Sequence, residues 1–216
     1  MQIRAVIFDY GGVLCFHPTT EQVDELAARC GAPRDRFLQA YWSTRLAYDR
    51  GDLEPRQYWT QIGERLGQRY DAGQIADFRR LDIGLWLRLD ARMVEWARRV
   101  RQAGYRTAVL SNLPPDLGEH LRAKMSLLSD FDCHTFSYEV RAVKPDPAIY
   151  SDCARKLVVA PAEALFVDDR PENVRGALDF GMSAVLFESP AGLQEELARL
   201  RARNAVAFSA PPVVLE

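Results

Sequence analysis

Four short runs constrain this chain more than any other feature: AVIF at 5–8, TAVL at 107–110, ALFV at 164–167 and SAVLF at 183–187. Each is apolar on successive positions rather than on alternate ones. That pattern fits strands covered on both faces, as in a parallel sheet flanked by helices. A weaker strand candidate is HTFS at 134–137. Helical patterns alternate with these runs. Behind Asp90, the segment ARMVEWARRVRQAG puts Met93, Val94, Trp96, Ala97 and Val100 on one face and stops at Gly104. Similar stretches cover about 115–128, 147–157, 172–180 and 191–203. Strand and helix in alternation predict an α/β fold, a doubly wound, Rossmann-like parallel sheet.

Residues 16–89 break that rhythm. They hold no convincing strand, and TEQVDELAARCG, PRDRFLQAYWSTRLAYDRG, EPRQYWTQIGERLG and DAGQIADFRRL all read as helices punctuated by Gly, Pro and Asp. The expected organisation is a core at 1–15 and 90–205, an all-helical cap at 16–89, and a tail at 206–216 that is either an ordered arm or a frayed end. A hydrophobic share of 48% and a charged share of 27% suit a soluble domain with a sizeable core. The net charge of -2 gives no electrostatic reason to expect nucleic acid or a membrane surface as partner. Cys15, Cys30, Cys133 and Cys153 have no CxxC spacing and read as free thiols, and no apolar run has the length of a signal peptide or membrane span, so a cytoplasmic location is expected. The oligomeric state is left open.

In open parallel sheets, ligands bind beyond the carboxyl ends of the strands, where the strand order reverses. The residues that follow the apolar runs are therefore the candidates. Asp9, Gly11 and Gly12 follow the first, Ser111 and Asn112 the second, and Asp168 and Asp169 the later run, while Lys144 stands in VKPDP ahead of a helix. Each feature alone is an ordinary turn or helix cap. Together they are the inventory for holding a divalent cation and a phosphate. A carboxylate attacking a phosphate dianion meets like-charge repulsion, which an oxygen-bound Mg²⁺ cancels. Asp9 would use one oxygen as nucleophile and the other as metal ligand. Gly11 would lend its carbonyl to the metal, and the N–H groups around Gly11 and Gly12 would cradle phosphate oxygens. Ser111 and Asn112 would donate to the same oxygens, and Lys144 would supply a fixed positive charge.

These motifs resemble those of the haloacid dehalogenase superfamily, in its phosphatase-like branch. FDYGGVL is similar to the first motif, LSN at 110–112 to the second, KPDP at 144–147 to the third and FVDDRPENVRGA at 166–177 to the fourth. The helical insert resembles the family's cap. The resemblance implies that Asp9 becomes phosphorylated, that Asp169 ligates Mg²⁺ directly and Asp168 directly or through water, and that Asn173 ties the fourth loop together.

The departure is Gly11, where most such phosphatases carry the Asp that protonates the leaving oxygen and later activates water. General acid–base help is worth roughly 10²–10⁴ in rate. Three outcomes stay open: restriction to good leaving groups, substitution by another residue or a water, or phosphate binding without turnover. His17 is the candidate substitute; Tyr10 reads as packed. In the cap, Arg45, Tyr48 and Asp49, with Trp42, Tyr58 and Trp59, read as substrate contacts suited to a small phosphorylated metabolite such as a sugar phosphate. The alternative is that Trp42 and Trp59 are cap core and Arg45 a solvated charge. The rival functions are a metal-independent 2-haloacid dehalogenase, a non-catalytic phosphate-binding protein and a phosphotransferase.

Overall fold

A computed structural model describes residues 2–202, 208–209 and 211–213. Five strands, β1 (Ala5–Phe8), β2 (Arg106–Ser111), β3 (Cys133–Phe136), β4 (Ala164–Asp168) and β5 (Ser183–Leu186), form one sheet in the order β3-β2-β1-β4-β5. All pairings are parallel. β1, β2 and β4 are buried along nearly their whole length, which explains their unbroken apolar runs. β3 is an edge strand with Cys133 and His134 half-buried, and this is why its signal in the sequence is weak.

Alternate residues of the central strands feed two cores. Val6, Phe8, Val109 and Val167 pack with α6 (Ala91–Gln102), α7 (Pro115–Lys124) and α11 (Pro190–Ala202). Ala5, Ile7, Leu110 and Phe166 pack with α9 (Pro147–Leu157) and α10 (Pro171–Asp179). The remaining core helix, α8 (Ser137–Val140), is a single turn after β3. The helix expected at 115–128 ends at Lys124, and a 3₁₀ turn takes over at Ser126–Asp130.

Five helices lie between β1 and α6: α1 (Thr20–Arg29), α2 (Arg34–Ser43), α3 (Arg45–Asp49), α4 (Pro55–Leu66) and α5 (Ala72–Leu85). They enclose a separate apolar cluster that includes Leu26, Phe37, Tyr41, Tyr58, Trp59, Ile62 and Phe78. The stretch read as one helix over 33–51 is two, because Thr44 leaves helical geometry at φ -127° and ψ 10°. The chain enters and leaves this bundle side by side: Phe16 N donates to Arg88 O and Asp90 N to Leu14 O, each at 2.9 Å. Both connections start next to the end of β1.

In the tail, Pro211 O accepts from Trp96 Nε1 at 2.9 Å and Val213 N donates to Gln194 Oε1 at 2.8 Å, so the described tail residues lie against α6 and α11. Residues 206, 207, 210 and 214–216 of the expected tail lie outside the described residues, as does 203 of the last helix. No helix among the described residues is long and apolar enough to cross a membrane.

Candidate active site

The winding direction reverses between β1 and β4, and the crevice at their carboxyl ends collects the charged residues. Lys144 is at its centre. Its fully buried ammonium reaches Asp9 Oδ1 at 2.9 Å, Asp168 Oδ2 at 2.6 Å and Leu110 O at 3.2 Å. Asp9 Oδ1 also accepts from Tyr10 N at 2.7 Å. Asp168 is saturated: besides Lys144 it accepts from Arg170 N at 2.9 Å and from Asn173 Nδ2 at 3.0 and 3.1 Å. Asn173 therefore ties the fourth loop to Asp168. Asp9, Asp168 and Asp169 each offer an oxygen, and these oxygens lie within 4.8 Å of one another.

The electrostatics follow from this crowding. Burial pushes Asp9 up to about 7, with the Lys144 charge opposing and Asp168 and Asp169 adding to the rise. Burial also works against the charge on Lys144, but Asp168 and Asp9 outweigh it and hold the ammonium above its ordinary range. Three carboxylates against one ammonium leave an excess of negative charge among hard oxygen donors. This donor set fits a divalent cation such as Mg²⁺. Asp9 and Asp169 are the residues that would hold it, with Asp168 oriented beside them.

Two expected phosphate contacts have other work. Asn112 Oδ1 accepts from Lys144 N at 2.8 Å and its Nδ2 donates to Lys144 O at 3.1 Å, so the side chain fixes the lysine backbone. Gly12 N donates to Cys15 O at 2.7 Å and is not free for a ligand. What Gly12 provides is room: its φ is +78°, and a Cβ there would overlap the Asp169 carboxylate. Ser111 is buried and lines the same pocket as Asp9. His17 Nε2 lies 2.9 Å from Asp169 Oδ2, and that hydrogen bond raises the imidazole above its usual value.

At Gly11, a Cβ would stand 3.2 Å from Trp86 Cζ3 and 3.5 Å from Cε3. A side chain at this position would press on the indole. Trp86 is held in place from below, because Tyr10 Oη donates to its carbonyl at 2.6 Å and Cys15 Sγ at 3.0 Å.

A cavity of about 680 Å³ runs from Asp9 into the space between core and cap. Arg45 and Asp49 line it, but as a closed polar cluster: Arg45 Nε donates to Asp49 Oδ1 at 2.7 Å, its Nη1 lies 3.4 Å from Asp82, and Tyr41 Oη donates to Asp82 at 2.6 Å. Arg45 is 4% exposed, so it is not a solvated surface charge. Tyr48 does not reach the cavity. It stacks on Tyr58 at 4.2 Å between centroids, deep in the cap. Tyr58 and Trp59 are cap core, whereas Trp42 is 51% exposed on the cavity rim.

The haloacid dehalogenase-like hydrolase family matches residues 3–181. This chain belongs to that family. The hydrolase is 30% identical over 182 residues to the sesquiterpene phosphatase astK of Aspergillus oryzae, a match covering 83% of this chain and 87% of that protein. It is 24% identical over 203 residues to D-ribitol-5-phosphate phosphatase of Bacteroides thetaiotaomicron, covering 90% and 97%. It is also 27% identical over 194 residues to (S)-2-haloacid dehalogenase 4A of Burkholderia cepacia, covering 85% and 82%. A HAD family enzyme from Bacteroides thetaiotaomicron, solved with magnesium and inorganic phosphate, shares the fold with a TM-score of 0.69 at 20% identity, over 86% of this chain and 94% of that one.

Trp86 is the residue of this hydrolase that the sequence reading missed. It packs against both the sheet core and the cap core. Its one signal was its place in GLWLRLD, a large apolar residue at the point where the insert returns to the core.

Proposed function

We propose that the chain is a Mg²⁺-dependent phosphomonoester hydrolase in which Asp9 is transiently phosphorylated. The observation that carries this is the gathering of Asp9, Asp168 and Asp169 at one crevice, with Lys144 paired to the first two and with burial, aided by the neighbouring carboxylates, pushing Asp9 up to about 7. A metal-independent reaction has no use for that uncompensated charge. The magnesium and phosphate bound to the structural relative, and the two phosphatase relatives, point the same way.

Bound magnesium would supply the charge neutralisation that brings a phosphate dianion next to Asp9. The chain's own residues do the rest. Lys144 and Tyr10 N hold Asp9 Oδ1, which leaves Oδ2 as the attacking atom. Oδ2 bonds to phosphorus as the ester P–O bond breaks and the alkoxide leaves. Ser111 steadies a phosphoryl oxygen, while the Lys144 ammonium, bonded to Asp9, Asp168 and Leu110 O, contributes through its charge. Water then attacks the aspartyl-phosphate, releasing inorganic phosphate and restoring the carboxylate. With glycine at 11, the departing oxygen takes its proton from solvent, so esters with acidic leaving groups react faster.

A second reading, displacement of halide from carbon by Asp9, is favoured by the dehalogenase relative and by Gly11. One panel separates the two. Acetyl and aryl phosphates should release phosphate only with Mg²⁺, Asp9→Asn should lose at least 10³-fold, a rough expectation for removing a covalent nucleophile, and rapid quench should trap phosphate on Asp9. Equal rates for wild type and Asp9→Asn would overturn the proposal. Chloride release from 2-chloropropionate without metal would establish the second reading.

A further inference from the structure

We infer that the organic part of the substrate is apolar: a monophosphate ester of an aliphatic or aromatic alcohol, with its hydrocarbon lodged between Trp86 and the cap helices. This rests on the phosphatase reading above. The cavity continuous with Asp9 is about 680 Å³, which holds a body far larger than the phosphate group. Much of the rest of its lining is apolar, with Val23, Leu38, Trp42 and Leu46 from the cap joined by Trp86 and Leu113.

Two further observations narrow the choice. The polar cap residues in the lining, Tyr41, Arg45 and Asp49, are already bonded to one another or to Asp82. A polyol lodged here would meet carbon over much of its surface, and unpartnered hydroxyls are costly to bury. In addition, Trp42 and Leu46 stand 51% and 55% exposed at the rim. Large apolar side chains left in water beside a built site gain from a ligand that covers them.

The test uses primary alkyl phosphates, whose leaving groups are of one chemical kind, so that chain length is the variable. With Mg²⁺, kcat/KM should rise from butyl to octyl phosphate by about threefold per methylene, somewhat below the roughly fourfold of complete transfer from water. Glycerol and sorbitol phosphates should run at least tenfold below hexyl phosphate. Leu46→Asp, at an exposed position, should flatten the slope, and Leu46→Gln gives the same comparison without adding charge. A flat series, or preference for the polyol esters, overturns the inference. Acetyl phosphate keeps the two claims apart, since it has almost no apolar body. If it is not hydrolysed, the phosphatase reading fails, while calorimetry with butyl to octyl phosphonates still decides whether the cavity selects hydrocarbon. Phosphonate affinity that grows with chain length supports the inference, and affinity independent of length refutes it.

Discussion

Gly11 lies against Trp86, so an acid placed at this position has to fit beside the indole. Gly11→Asp alone should give no gain on alkyl phosphates, because the new side chain meets the indole. Gly11→Asp combined with Trp86→Ala should raise kcat on alkyl phosphates by roughly tenfold or more, within the 10²–10⁴ range of general acid–base catalysis. An equal gain from the single change, read by steady-state kinetics, would contradict the steric account. Gly12 answers a different demand. Gly12→Ala forces a Cβ into a left-handed position and into the Asp169 carboxylate, so it should cost about 1 kcal/mol or more in urea unfolding and weaken Mg²⁺ binding at least tenfold. At this scale the sequence disclosed Asp9, Lys144, Asp168 and Asp169 because each ends an apolar run or stands in its loop. It concealed Trp86, and it concealed the occupation of Asn112 by the Lys144 backbone, because both depend on contacts between distant segments.

Helix α2 ends at Ser43 and, after Thr44, α3 begins at Arg45, which is buried while Trp42 and Leu46 stay at the cavity rim. Helical periodicity locates the faces of one helix but does not say which other helix a face meets. Asp82, on α5, is the partner that this leaves out. Arg45 is the buried cation that Asp49 and Asp82 share. Replacing it as Arg45→Met would leave Asp49 and Asp82 buried without their cation, and should destabilise by about 3–5 kcal/mol. Because the cap has its own apolar core, hydrogen exchange should show the loss in α2–α5 while β1 and β4 keep their protection. Uniform loss across sheet and cap would mean that the two cores unfold as one. The cap is also clasped to the sheet layer, since Arg79 on α5 donates to Asp116 on α7 at 2.6 Å and Ser137 Oγ donates to Asp49 O.

For the molecule as a whole, the sheet was legible because its central strands are buried on both faces, and the switch point followed from alternation alone. Which crevice residues are charge-compensated was not legible, since that depends on distances. This compensation couples folding to pH and metal. Without a cation, native Asp9 titrates at about 7 and the unfolded side chain near 3.8. Between those values the native state keeps a proton that the unfolded chain has released. This group's contribution to stability is therefore fully present below about pH 4 and is lost as pH rises toward 7. Magnesium favours the ionised carboxylate, so its binding competes with that proton. Its Kd should be roughly 30-fold weaker at pH 5.5 than at pH 8, the proton competition expected for a site at about 7. Thermal unfolding in EDTA and in Mg²⁺ reads both effects: the rise in Tm on adding Mg²⁺ should be larger at pH 8. Asp9→Asn should be more stable than wild type in EDTA at pH 8, with the gap closing as pH falls. A wild-type Mg²⁺ affinity that does not change between pH 5.5 and 8 would mean that Asp9 is already ionised at the lower pH, with Lys144 sufficient to hold its charge.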